Sequence, residues 1–115
     1  MTITLPWPPS VNSYYRTYKN RTILSAAGRK YKKQAAAAIA AKVKTPPQYS
    51  ERLEVELHLS PPDRRKRDID NYAKATLDAL QAAKIFLDDS QIDRLRIYRL
   101  DSTSKPHVLA IIRTV

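Results

Sequence analysis

Between Arg52 and Ser60 the chain alternates: Leu53, Val55, Leu57 and Leu59 are apolar, and Glu54, Glu56 and His58 between them are polar. A period of two sends the sets to opposite sides of a strand, so this stretch belongs in a sheet with one buried face. Thr2 to Leu5 reads as a short strand, stopped by Pro6-Trp7-Pro8-Pro9 because proline lacks the backbone donor a ladder needs. Ser25 is placed to N-cap an alanine-rich helix from Ala26 to about Lys44, which ends before Thr45-Pro46-Pro47. A second helix is expected from about Asp70 to Ala83, with Ala73, Leu77 and Leu80 spaced for burial against the sheet. Arg94 to Leu100 and His107 to Val115 read as two further strands, joined by Ser102-Thr103-Ser104-Lys105-Pro106 as an antiparallel hairpin. The expected order is β-α-β-α-β-β: a single α+β domain over residues 1–115, a mixed β-sheet packed by two helices.

Charge narrows the class of partner. Across 115 residues, 21 Lys and Arg stand against 11 Asp and Glu, a net charge of +10. That excess attracts polyanions, with nucleic acid first among them. A solubilising charge or an acidic membrane surface would account for the same number, so charge alone names no activity. The chain has no cysteine, which removes disulfides, thiol nucleophiles and Cys-ligated metals and suits a reducing cytosol. The N-terminus does not read as a signal peptide and no apolar run is long enough to span a bilayer, so a cytoplasmic protein without a membrane partner is expected. Tyr14, Tyr15 and Tyr18 are interleaved with Arg16, Lys19 and Arg21, a mixture able to stack on bases and pair with phosphates or, equally, to cover a core with tyrosine rings.

The residues with chemistry concentrate between Arg64 and Asp89. The cations Arg64-Arg65-Lys66-Arg67 run directly into Asp68-Ile69-Asp70-Asn71. If that segment is extended, Asp68 and Asp70 point the same way and share one ion, and oxygen-only ligands suit Mg²⁺. Asp88-Asp89 lies beyond the second helix as a source of a third carboxylate, and Lys74 is placed to offset charge on a phosphate undergoing hydrolysis. Each residue also has a plainer reading. Asp68 and Asp70 are good helix caps, Asp88-Asp89-Ser90 a good turn, and Asp70-Lys74-Asp78 an ordinary helix ladder. Asn71 either orients the Asp70 site or satisfies local backbone groups. Arg94, Arg96 and Tyr98 share one strand face, as a phosphate-binding surface or a solvated one.

The set Arg67-Asp68-Ile69-Asp70-Asn71, Lys74 and Leu87-Asp88-Asp89 resembles the RusA-type Holliday junction resolvases. Leu5-Pro6-Trp7-Pro8-Pro9-Ser10, with Asn12, Tyr14, Tyr15 and Arg16, is similar to that family's N-terminus, and Ser25 and Gly28 also fall where expected. The resemblance implies an endodeoxyribonuclease acting as a homodimer on four-way junction DNA, cutting by paired nicks in strands of like polarity. It implies Asp68, Asp70 and Asp89 as ligands of Mg²⁺, with Mn²⁺ as a substitute, and Lys74 as the essential lysine. Arg67 falls on a required basic position, Asp88 is the less important companion, and Arg64, Arg65, Lys66, Asn71 and Arg16 complete the DNA-binding set. Such proteins often occur on phage or prophage genomes. One position departs: relatives commonly carry glycine where this chain has Lys84, which strains a left-handed helix end and leaves the path into Asp89 open. The competing readings are a non-catalytic DNA-binding module and an RNA-binding protein that uses the tyrosine and arginine stretch.

Overall fold

The computed structural model describes residues 1–115. In chain order it has strand β1 (Thr2–Pro6), a one-turn helix α1 (Val11–Tyr14), strands β2 (Tyr15–Tyr18) and β3 (Arg21–Leu24), helix α2 (Ala26–Lys42) and strand β4 (Leu53–Ser60). Helix α3 (Ala73–Ala82) and strands β5 (Ile92–Arg99) and β6 (His107–Thr114) follow. The 3-10 turns Ile69–Tyr72 and Asp89–Gln91 lead into α3 and β5. The main sheet has the order β1-β6-β4-β5. Strand β6 runs antiparallel to both β1 and β4, whereas β5 runs parallel to β4. The result is the expected α+β domain, a mixed four-stranded sheet with two main helices.

The alternation in β4 does what its period requires. Leu53, Val55, Leu57 and Leu59 are buried with Val108, Ala110 and Ile112 of β6 and Ile3 and Leu5 of β1. Helix α2 adds Tyr31, Ala35 and Ile39 to that core, and α3 adds Ala75, Ala79 and Leu80. On the other face Glu54 meets Arg96 at 2.8 Å and Arg94 at 3.7 Å, and Glu56 meets Arg113 at 2.7 Å and His58 at 3.2 Å. The arginines that could have extended a phosphate-binding surface therefore neutralise the acids of β4.

Helix α1 was not expected, α3 begins at Ala73 behind a 3-10 turn and not at about Asp70, and two pairings also differ from expectation. The antiparallel hairpin of β5 with β6 does not form, because β4 lies between them and pairs with both. A central strand needs a partner at each edge, and α3 supplies a crossover long enough for β5 to return parallel. The second difference is the β2–β3 hairpin, within a stretch that reads as loop. Its two turn residues, Lys19 (φ 48°) and Asn20 (φ 60°), are both left-handed, as a type I′ turn requires.

Helix α2 starts where Ser25 predicts. The Ser25 hydroxyl accepts from the Gly28 N–H at 3.0 Å and donates to the Tyr14 carbonyl at 3.1 Å. A Cβ on Gly28 would stand 2.5 Å from that carbonyl oxygen, so only glycine lets the end of α1 lie against α2. No helix is long and apolar enough to cross a membrane.

Candidate active site

Beyond β4 the chain enters the basic loop, and one of its four cations is turned inward. The Arg67 side chain is only 13% exposed and pairs with Asp63 at 2.8 Å. It donates to the Asp63 and Arg65 carbonyls at 3.1 and 3.3 Å and lies 5.8 Å from the Trp7 ring centre. That hydrogen bond from Arg67, then the Arg65 N–H, hold the Asp63 carboxyl below its usual pKa. Two more bonds tie the loop to the strand ends: Arg99 donates to the Arg67 carbonyl at 2.6 Å, and the Thr103 N–H to the Pro61 carbonyl at 2.9 Å. With its inner side fixed, the loop exposes Arg64, Arg65 and Lys66.

The loop delivers Asp68 and Asp70 to the surface. Asp68 is extended (φ −88°, ψ 118°) at the N-cap position of the first 3-10 turn, yet its side chain caps nothing. Asp70 already lies inside the turn, so the two do not form the purely extended i, i+2 pair that alternation suggests. Both are exposed, and neither carboxylate takes part in any ion pair or side-chain hydrogen bond. Asn71 closes the turn through its backbone, donating to the Asp68 carbonyl at 3.1 Å.

Helix α3 carries the lysine. Lys74 Nζ stands 3.0 Å from Asp78 Oδ1 and 4.0 Å from Asp89 Oδ2. Of the Asp70-Lys74-Asp78 ladder only the second half forms. The Tyr14 hydroxyl, from a fully buried ring, donates to Asp78 Oδ2 at 3.1 Å. Burial first, and then the Asp78 charge, hold the Tyr14 pKa well above the usual phenol range, so it remains a donor. The hydrogen bond to Asp78 holds Lys74 above the usual lysine value. The side chain next to Asp89 is therefore an ammonium group at neutral pH.

Asp89 is held from two directions. Its N–H donates to Gln81 Oε1 of α3 at 3.0 Å. Asp88 caps the second 3-10 turn through the Ser90 N–H and hydroxyl, the turn role its sequence also allowed. Gln91 completes the capping box: it accepts from the Leu87 and Asp88 N–H groups at 3.0 and 2.8 Å and donates to the Tyr49 and Glu51 carbonyls at 2.9 and 2.8 Å. Upstream, Lys84 is left-handed with φ 62°. The Ile85 N–H reaches the Leu80 carbonyl at 3.1 Å and the Lys84 N–H the Gln81 carbonyl at 3.0 Å, the two bonds of a Schellman helix end. Lys84 thus keeps the backbone path that glycine would take.

Asp68 and Asp70 stand two residues apart at the turn that leads into α3, and Asp89 is tied to α3 through Gln81 and Lys74. No group of three acidic or histidine side chains stands close enough to hold a metal ion among them. Arg16 is elsewhere, on the β2–β3 hairpin, where it and Lys19 each lie 5.3 Å from the Tyr18 ring centre. Residues that sequence reasoning left without a role are Gln81, Asp78, Gln91 and Trp7. Two had a local signal, since Asp88-x-x-Gln91 reads as a capping box and Asp78 follows Lys74 by one helical turn.

A fixed basic loop leading to uncompensated carboxylates, beside a lysine kept charged, is the equipment of a phosphodiester hydrolase. Comparison with known proteins narrows the class. Residues 6–113 match the family described as Endodeoxyribonuclease RusA. Over 102 residues the chain is 42% identical to the crossover junction endodeoxyribonuclease RusA of Escherichia coli (strain K12), spanning 88% of this chain and 83% of that protein. It is 41% identical, with the same coverage, to the corresponding protein of Enterobacteria phage 82. The chain belongs to the RusA family of endodeoxyribonucleases.

Proposed function

We propose that this protein is a crossover junction endodeoxyribonuclease, which resolves Holliday junctions by hydrolysing phosphodiesters at a Mg²⁺ site formed by Asp68, Asp70 and Asp89. The observation that carries the reading is the bare state of Asp68 and Asp70. In a chain with 21 cations and 11 acids, and next to an Asp63 that has both Arg65 and Arg67, Asp68 and Asp70 are exposed carboxylates without a cationic partner. Glu51, Asp88 and Asp101 also lack one, but none of these follows directly on the basic run. Helix capping does not account for Asp68, whose side chain caps nothing.

The donor set fits a hard cation. Mg²⁺ commonly takes one or two carboxylates and fills its octahedron with water and substrate phosphate, so Asp68 and Asp70 would suffice as the anchor. Asp89, which does not stand close enough to form a three-carboxylate group with them, would be the third ligand only on approaching them. When bound, the ion lowers the pKa of water and polarises the phosphodiester, and Mn²⁺ would serve in its place. The protein's own groups do the rest. Lys74, held as an ammonium by Asp78, stabilises charge developing on the phosphate. Arg64, Arg65, Lys66 and Arg16 bind backbone phosphates, Arg67 shapes the loop that presents the first three, and Asn71 sets the turn that carries Asp70. A two-fold homodimer would match the symmetry of a four-way junction with paired nicks.

The deciding assay incubates a fixed and a branch-migrating four-way junction with the protein, with and without Mg²⁺. Symmetric nicking is expected only with the metal, and Asp70→Asn is expected to abolish it while leaving junction binding intact. Undiminished cleavage by Asp70→Asn would sink the site assignment. Metal-independent binding by the wild type without any nicking would make the protein a DNA-binding module.

A further inference from the structure

A cavity of about 620 Å³ lies beside the carboxylates, lined by the basic loop. Trp7 and Tyr72 form an aromatic wall, their ring centres 5.0 Å apart and tilted by 38°. Leu59, Pro61 and Ile69 add an apolar floor. Arg64, Arg65 and Lys66 surround the opening, and Asp68 lines the same cavity. The aromatic wall and the apolar residues have no part in the hydrolytic chemistry above, whereas Asp68 and the three cations belong to both places.

We propose that this cleft is a subsite for one nucleobase of the junction, unstacked near the crossover and laid against the Trp7–Tyr72 wall. The inference rests on the reading of the protein as a junction endonuclease and adds a contact to a base where that reading has contacts to phosphates. A volume of about 620 Å³ lies in the range of small-molecule sites, roughly 300–1,000 Å³. An aromatic wall with a cationic rim is the combination by which proteins hold unpaired bases: the ring faces stack, and the cations take the flanking phosphates. Acceptor groups complete the fit, since Asp68 and Asp101 line the cavity and can accept from a base's amino edge. Unstacking costs least where pairing and stacking are already interrupted, as at a crossover. With Asp68 shared, a base held here places its own backbone near the carboxylates, so the cleft would make cleavage depend on that base.

Trp7 is the only tryptophan in the chain, so its emission reports on the cleft in the unmodified protein. Saturating the protein with a fixed four-way junction, without divalent metal, is expected to lower that emission by about half, and a linear duplex of the same arms is not. An abasic site at one position within about three nucleotides of the crossover is expected to restore the emission. Among active variants, Trp7→Phe should keep the ratio of cleavage between best and worst junction sequences, and Trp7→Ala should flatten it by roughly tenfold. Emission that ignores the junction, or quenching that survives abasic sites throughout that region, overturns the proposal. Should Trp7→Ala not fold, the wild-type emission still decides. Cleavage with unresponsive Trp7 refutes the subsite alone, and a base-dependent response without cleavage refutes the endonuclease reading alone.

Discussion

Lys84 shows what a single backbone angle costs. It is a lysine at φ 62° in a Schellman end whose apolar partners, Leu80 and Ile85, are both fully buried. A left-handed conformation costs a residue with a Cβ about 1–2 kcal/mol, and glycine gives back some of that through its looser unfolded state. Lys84→Gly should therefore raise stability by about 0.5–1 kcal/mol with cleavage unchanged, read as a shift of the denaturant midpoint at constant slope. The basic run divides in a way that its sequence does not show. Arg67→Ala removes the partner of Asp63 and the pin of the loop, so about 1–3 kcal/mol of stability should go with it. Arg64→Ala, on an exposed side chain, should leave the thermal midpoint in place and reduce the slope of log affinity against log salt by about 1.

At the scale of elements, legibility followed the range of the interaction. The β4 alternation and the Ser25 cap are local patterns, and each was readable because its cause lies within a few residues, whereas the 3-10 turn that takes Asp70 out of an extended pair with Asp68 and starts α3 at Ala73 was not. The β2–β3 hairpin was hidden because Lys19-Asn20 makes a left-handed turn without the glycine that usually signals one. The pairing of β5 with β4 was hidden because a short Ser-Thr-Ser-Lys-Pro connection looks like a hairpin, and only the whole sheet shows that β4 needs both neighbours. The site follows the same rule. Asp68, Asp70 and Lys74 are near one another in sequence, whereas the grip on Asp89 and the Tyr14 bond to Asp78 join residues 8 and 64 positions apart. Helix packing reaches the site by that second route. Gly28→Ala forces the Tyr14 carbonyl away, which should cost about 1–3 kcal/mol and loosen the hydrogen bond that steadies Asp78 and, through it, Lys74. Lower thermal stability together with slower cleavage per folded molecule is the expected result.

For the whole molecule, acid is the condition that tests the charge arrangement. The Arg113 hydrogen bond, then His58, hold the Glu56 carboxyl below the ordinary 4.5, and Arg67 does the same for Asp63. A carboxyl with a depressed folded-state pKa contributes stability that is fully present above its unfolded value and disappears as pH falls through the folded one. Thermal midpoints should thus hold from neutrality to about pH 5 and decline below it, as the polar sheet face and the loop clamp lose their anions together. Glu56→Gln and Asp63→Asn should each start lower at neutral pH and decline less steeply. A decline that begins near pH 7 would assign the acid sensitivity to histidine instead.

The place of β6 has a consequence for how the protein is made. Strand β6, His107–Thr114, follows β1, β4 and β5 along the chain and yet lies between β1 and β4 in the finished sheet. Until it pairs, β1 has no strand neighbour and β4 has only β5, so the backbone donors and acceptors along both facing edges stay unsatisfied. Removing β6 would therefore not trim an edge. It would take out the seam that joins the first strand of the chain to the middle of the sheet, and a nascent chain stalled short of that point should be held by chaperones or degraded rather than released in an almost native form.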